Sequence, residues 1–178
     1  MGLQQFAGFW IRLFVLRPRA RRRTRETLIQ EALTAKLNFD AELSGVTELQ
    51  ARATIKRRKE IACIADIVAH LSVAHAGTAK ILNWITSQDP TPFTPDYTNL
   101  FAGRQGRTFE KIREEYEQNW KAFVQSAQHA RVLYSKRTVH HFMMGDLLAK
   151  EWIVLVAFHY NYHYRQLRRY RRGFDIRD

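Results

Sequence analysis

The sequence predicts an all-α fold, a four-helix bundle with a long crossover loop. Three observations predict it. Apolar residues recur at steps of three and four over long stretches, the spacing of one helix face. Three of the four prolines fall in a single polar segment between such stretches. No run alternates apolar and polar residues as a half-buried strand does, and no glycine-rich phosphate loop or repeat is present. At 178 residues the chain fits one domain with enough apolar content to fill a core.

The first helix is expected from about Thr24 to Leu43, with Leu28, Ala32, Ala35 and Phe39 on its inner side and Ser44-Gly45 ending it. The second is expected to run from about Thr47 to Ser87. Its later half, IACIADIVAHLSVAHAGTAKILNWI, is apolar on most sides, which marks a helix surrounded by others. The segment SQDPTPFTPDYTNLFAGRQG, holding Pro90, Pro92 and Pro95, cannot continue a helix. A long loop in a compact domain often serves as a lid or crossover. The third helix, RTFEKIREEYEQNWKAFVQSAQHARVL, places Phe109, Ile112, Tyr116, Trp120 and Phe123 on an inner stripe and charge on its outer face. The fourth is expected from Gly145 to about Tyr170. These elements give a bundle over residues 24–172, a tail over 173–178 and an extension over 1–23.

The formal charge of +12 lies mainly at the two ends. Residues 1–25 carry seven arginines and no acid, residues 165–178 carry six arginines against Asp175 and Asp178, and the span between is close to neutral. The apolar run of residues 6–16 is too short to span a bilayer, is broken by Arg12, and precedes its basic cluster rather than following it. Residues 1–23 therefore read as an Arg-rich extension, flexible or interfacial, with contact to an anionic membrane surface through residues 1–25 as the interfacial form. A single cysteine, Cys63, excludes an internal disulfide and fits a cytoplasmic location.

On the fourth helix Leu148, Trp152, Leu155, His159, His163, Gln166 and Tyr170 share one face, so His159 and His163 continue a core-directed stripe. Two imidazoles one turn apart can chelate one ion from the same side. A buried histidine satisfied by a neighbour is an equally simple account of that spacing. A third ligand has to come from another helix. His70 and His75 are five apart on the second helix and point about 140° away from each other, so one at most can face a given site. His70 shares its stripe with Cys63, Ile67, Ala74, Gly77 and Ile81, where small residues leave room; His75 lies with Leu71, Ala79 and Leu82, a packing environment. His129, His140 and His141 are expected in solvent.

The DIVAHL of the second helix, followed by HHFMMGDLLAKEWIVLVAFHYNYHYRQLRR closing the domain, resembles the DinB-like superfamily of four-helix bundle proteins. Its members carry one histidine in the second helix and an HxxxH pair in the last, often within a G…EW…H…H…QL run. Here those positions are Gly145, Glu151-Trp152, His159, His163 and Gln166-Leu167. The resemblance implies a bundle with a metal triad of His70, His159 and His163, a homodimer, and a small-molecule substrate. It implies a divalent metal, zinc, nickel or iron, and in some members a low-molecular-weight thiol, in a thiol-dependent transferase or a metal-dependent hydrolase. In the transferase form the ion would hold the thiolate while substrate enters beneath the proline loop. Asp66, one turn before His70, and Glu151, two turns before His159, are candidates to orient the ligands, with Gln166 and Tyr162 beside the pair.

Two other classes compete. Arg165, Arg168, Arg169, Arg171 and Arg172, interleaved with Tyr164 and Tyr170, could grip nucleic acid. Cations also favour a helix C-terminus without any ligand, and no recognition motif accompanies them. A non-catalytic stress or interaction bundle would keep the same histidines as core residues.

Overall fold

The computed structural model describes residues 3–57, 60–87, 89–96, 106–130 and 136–174. In chain order they form α1 (Leu3–Ile11), a π-helical turn (Arg12–Leu16), α2 (Arg17–Arg22), α3 (Arg25–Leu43) and α4 (Glu48–Arg52). A small hairpin, β1 (Ile55–Arg57) with β2 (Glu60–Ala62), leads into α5 (Ile64–Thr86) and α6 (Phe109–His129). A second hairpin, β3 (Thr138–His141) with β4 (Gly145–Leu148), precedes α7 (Ala149–Phe174). The long helices α3, α5, α6 and α7 make the expected all-α four-helix bundle. The main packings are α5 on α6 and α3 on α7, with α5 also against α7.

The helix starts follow from side-chain caps. Thr24 Oγ1 accepts from the Thr27 N–H at 3.2 Å, and Thr108 Oγ1 accepts from the Lys111 N–H at 3.2 Å, each satisfying a donor that the first turn leaves orphaned. The stripes read from spacing are buried: Leu28, Ala32 and Phe39 on α3, and Phe109, Ile112, Tyr116 and Phe123 on α6. A polar chain crosses this core. Lys36 Nζ donates to Asp40 at 2.5 Å and to Glu117 at 2.7 Å, Tyr116 Oη donates to Asp40 at 2.8 Å, and Tyr160 Oη donates to Tyr116 Oη at 2.9 Å. It ties α3, α6 and α7 together with each buried group paired.

The single helix expected from Thr47 to Ser87 is instead three elements. Thr47 and Gln50 form a capping box that starts the short α4. Beyond it the backbone turns back on itself in antiparallel register, with Ile55 opposite Ala62 and Arg57 opposite Glu60. A new helix then begins, with the Asp66 carboxylate accepting from the Cys63 N–H at 3.0 Å. Gly145 likewise starts no helix. It has φ +72°, a left-handed conformation that suits glycine at the end of the hairpin turn, and α7 begins at Ala149.

The N-terminal segment differs from a flexible extension. From Leu3 to Arg22 it is helical, and Leu16 and Ala20 are buried in the common core. Two of its arginines, Arg12 and Arg17, reach the buried carboxylate of Glu151 on α7 at 3.5 and 3.6 Å. At Gly8 the helix approaches the β3–β4 turn so closely that an added Cβ would lie 2.2 Å from the Met143 carbonyl oxygen, so glycine is required there.

The described part of the proline segment folds back on α5. Trp84 Nε1 donates to the Thr91 carbonyl at 2.8 Å, Phe93 packs against the Trp84 ring, and Arg137 lies 3.9 Å over that ring while donating to the Ser87 carbonyl at 2.8 Å. Residues 97–105 of the expected loop, residues 131–133 of the expected third helix, and 175–178 of the tail lie outside the described residues; the helix itself continues through Phe174.

Candidate metal centre

His159 and His163 sit one turn apart on α7, on the side that faces α5, and His70 of α5 meets them. The His70 and His159 Nε2 atoms are 2.9 Å apart, and those of His163 and His159 are 3.0 Å apart. The candidate ligand atoms of the three residues all lie within 4.8 Å of one another. A tetrahedral ion bound at about 2.0–2.1 Å has ligand edges of about 3.3 Å, so the two spacings around His159 are close to those of such a site.

The protons argue the same way. His163 Nδ1 lies 2.8 Å from Gln166 Oε1, and the amide is oriented by its Nε2 donating to Tyr170 Oη at 3.1 Å. An amide oxygen only accepts, so Nδ1 carries the proton and the Nε2 lone pair points inward. His159 Nε2 carries either one proton or one lone pair. It therefore cannot make ordinary hydrogen bonds to both neighbours at once. A cation drawing on three lone pairs removes that conflict, and the donor set fits a divalent borderline metal.

Burial keeps the site neutral. The His163 pKa is lowered to about 4 by desolvation and by the neighbouring His70, against a smaller raising effect of the Gln166 hydrogen bond. His159 is pushed well below its ordinary value by desolvation first and by His163 and His70 next. At neutral pH both imidazoles are in the form that can ligate. His163 is buried, whereas His70 and His159 are partly exposed, which leaves one side of the cluster accessible.

The expected supporting residues divide. Gln166 orients the His163 ring, as described. Tyr162 is 53% exposed with its ring edge-on to His163 at 5.1 Å, a position on the rim. Asp66 lies one turn before His70, where its carboxylate accepts from both the N–H and the Sγ–H of Cys63 and so caps α5. Glu151 belongs to another part of the molecule. Its eight-residue offset from His159 is about 12 Å along the helix, and its carboxylate accepts from the Leu148 N–H at 2.9 Å while pairing with Arg12 and Arg17. The residue not singled out was Tyr170 as the group that fixes Gln166. The signal was present, since Tyr170 lies on the same stripe as His163 and Gln166.

The other histidines serve packing or the surface. His75 is buried among Tyr116, Trp120, Phe123 and Tyr160, as its apolar neighbours imply. His141 is more enclosed than expected for a loop residue: it stacks on Phe142 and packs against Trp152, and desolvation lowers its pKa to about 4. The C-terminal arginines hold α7 against the end of α3. Arg168 pairs with Glu42 at 3.4 Å and Arg171 donates to the Glu42 carbonyl at 2.8 Å.

A four-helix bundle with a three-histidine cluster between two of its helices is the class that this fold and site define. Solved structures that match the chain are those of the mycothiol-dependent maleylpyruvate isomerase and of a histidine-to-alanine variant of it. Each has a TM-score of 0.70, with 12% and 11% identity respectively. Each match covers 83% of this chain and 62% of the isomerase, so the chain spans less than two thirds of its neighbours' length. At this identity the likeness is one of fold. No family model matches the sequence, and no curated protein matches it. Among the described residues no helix is long and apolar enough to cross a membrane.

Proposed function

We propose that this protein is a metal-dependent enzyme in which His70, His159 and His163 hold a divalent ion, zinc, nickel or iron, and that it acts on a small electrophilic substrate with a low-molecular-weight thiol. The observation that carries this reading is the gathering of three histidines between α5 and α7, with His159 Nε2 at 2.9 and 3.0 Å from the Nε2 atoms of His70 and His163. The thiol-dependent isomerase named above, which has the same fold, supports the thiol in preference to water as the activated group.

When bound, the ion would act as a Lewis acid and lower the pKa of a thiol or water in its open position to near neutrality. The protein's own contribution is positioning and protonation state. Tyr170 and Gln166 hold His163 in one tautomer, burial keeps His159 and His163 in the neutral form, and Tyr162 stands at the rim where a substrate would pass. Hydrolysis is the second outcome of the same site, with water in place of the thiol.

The test is a turnover screen of the zinc-, nickel- and iron-loaded protein with low-molecular-weight thiols and electrophilic substrates, with His159→Ala as control. Thiol-dependent turnover lost in the variant is expected. Turnover that is unchanged by His159→Ala, or that occurs only without thiol, would overturn the thiol-dependent reading.

A further inference from the structure

The N-terminal helical segment presents a face that the metal centre does not use. Phe9, Trp10 and Phe14 are 45%, 41% and 66% exposed, and Trp10 stacks on Phe14 with ring centroids 5.2 Å apart. The β3–β4 turn that rests on this helix at Gly8 carries another exposed aromatic, Phe142, at 46%. Phe9 also packs edge-on to Trp10 at 5.7 Å, so three exposed aromatics are clustered on this segment, and such a cluster marks an interaction surface.

Cations continue the same segment. Of its arginines, Arg12 and Arg17 pair with Glu151, Arg23 with Glu31, and Arg25 with Glu26. Arg19, Arg21 and Arg22 are exposed and have no ion pair among the described residues. The helical segment that bears both groups is fixed to the bundle by Leu16, Ala20 and the Glu151 ion pairs, so both are held in place.

The chemistry selects the occupant. A second copy docked through the same segment would cover the aromatics but would offer the arginines no acid, since residues 1–25 carry none. Nucleic acid would reward the arginines, but Trp10 and Phe14 already stack on each other, which takes one face of each ring from the bases that would stack there. An anionic bilayer accounts for both, because tryptophan and phenylalanine settle at headgroup depth while guanidinium groups pair with lipid phosphates. The apolar run is a surface element and not a spanning one.

We propose that this face is a docking surface for anionic membranes, with Phe9, Trp10, Phe14 and Phe142 entering the interface and Arg19, Arg21 and Arg22 contacting lipid phosphates. The proposal is independent of the metal centre.

The test is co-sedimentation of the full chain with vesicles of phosphatidylcholine alone or with about one third phosphatidylglycerol. Binding to the anionic vesicles is expected to be at least about tenfold stronger and to weaken as salt rises. Phe14→Ser, and separately the triple change Arg19→Glu, Arg21→Glu, Arg22→Glu, should each reduce it about tenfold while the helical circular-dichroism signal is retained. Arg165→Glu with Arg169→Glu, at the far end of α7, should leave it unchanged. Four results would overturn the proposal: no binding to anionic vesicles, binding insensitive to Phe14→Ser, equal loss in the α7 variant, or a Phe14-dependent dimer in its place.

Discussion

His163 and Gln166 form the hydrogen bond on which the candidate site depends: Nδ1 to Oε1 at 2.8 Å, within one helical turn of α7. Removing the amide releases the imidazole to rotate and to change tautomer. Gln166→Ala is therefore expected to weaken metal affinity about 10- to 100-fold, the usual consequence of losing a ligand's orienting partner. Tyr170→Phe, which removes only the group that orients the amide, should have a smaller effect in the same direction. Competition titrations with a metal chelator check both, and affinities unchanged in both would remove Gln166 from the site.

His75 sets a dependence of stability on pH. Its ring is 1% exposed in an aromatic enclosure, neither nitrogen has a hydrogen-bond partner among the described residues, and burial lowers its pKa to about 3, with the charges of Lys36 and His70 adding to the effect. Between about pH 3 and the unfolded value near 6.5, the unfolded chain binds a proton at this position that the folded chain does not. Stability contributed by the neutral ring is thus complete above about pH 6.5 and declines as pH falls toward 3, by up to about 1.4 kcal/mol per pH unit. His75→Phe should flatten that slope by a similar amount. At pH 7 it should be neutral or stabilising, because it replaces an unsatisfied polar group with an apolar one. Urea denaturation at several pH values measures both effects, and parallel slopes for the two proteins would contradict the assignment.

Glu151 locks the N-terminal segment to the bundle. Its side chain is 1% exposed, while Arg12 and Arg17 are 19% and 44% exposed. Breaking a buried pair by removing one partner costs about 3–5 kcal/mol, and the exposure of these arginines places Glu151→Ala at or below the low end, about 3 kcal/mol or less. Arg12→Ala should cost less. The segment should become sensitive to trypsin between Arg17 and Arg23 in both variants while the metal affinity is retained. Resistance equal to that of the wild type would show that Leu16 and Ala20 suffice to hold it.

Particular residues explain what was legible in the sequence. The stripes of α3, α6 and α7 could be read because each long helix buries one face and repeats it over several turns. His70 could be preferred to His75 because the small residues near it contrast with the bulky ones around His75. The break in the expected second helix was hidden, since KRRKEIA is compatible with a solvated helix and its pairing is decided by hairpin geometry rather than by local propensity. Gly145 and Glu151 were misassigned for a related reason. The first needed a backbone angle, and the second needed partners, Arg12 and Arg17, more than 130 positions away in sequence.

One ion held by three histidines from two helices is what the proposed function requires. The most direct measurement is metal content by mass spectrometry on protein made without a histidine tag and reconstituted with zinc, nickel or iron, for the wild type and for His70→Ala, His159→Ala and His163→Ala. About one ion per chain is expected, lost in each variant while helicity is unchanged. No stoichiometric metal in the wild type, or full occupancy in the variants, would contradict the account and leave the three histidines as core residues of a non-catalytic bundle.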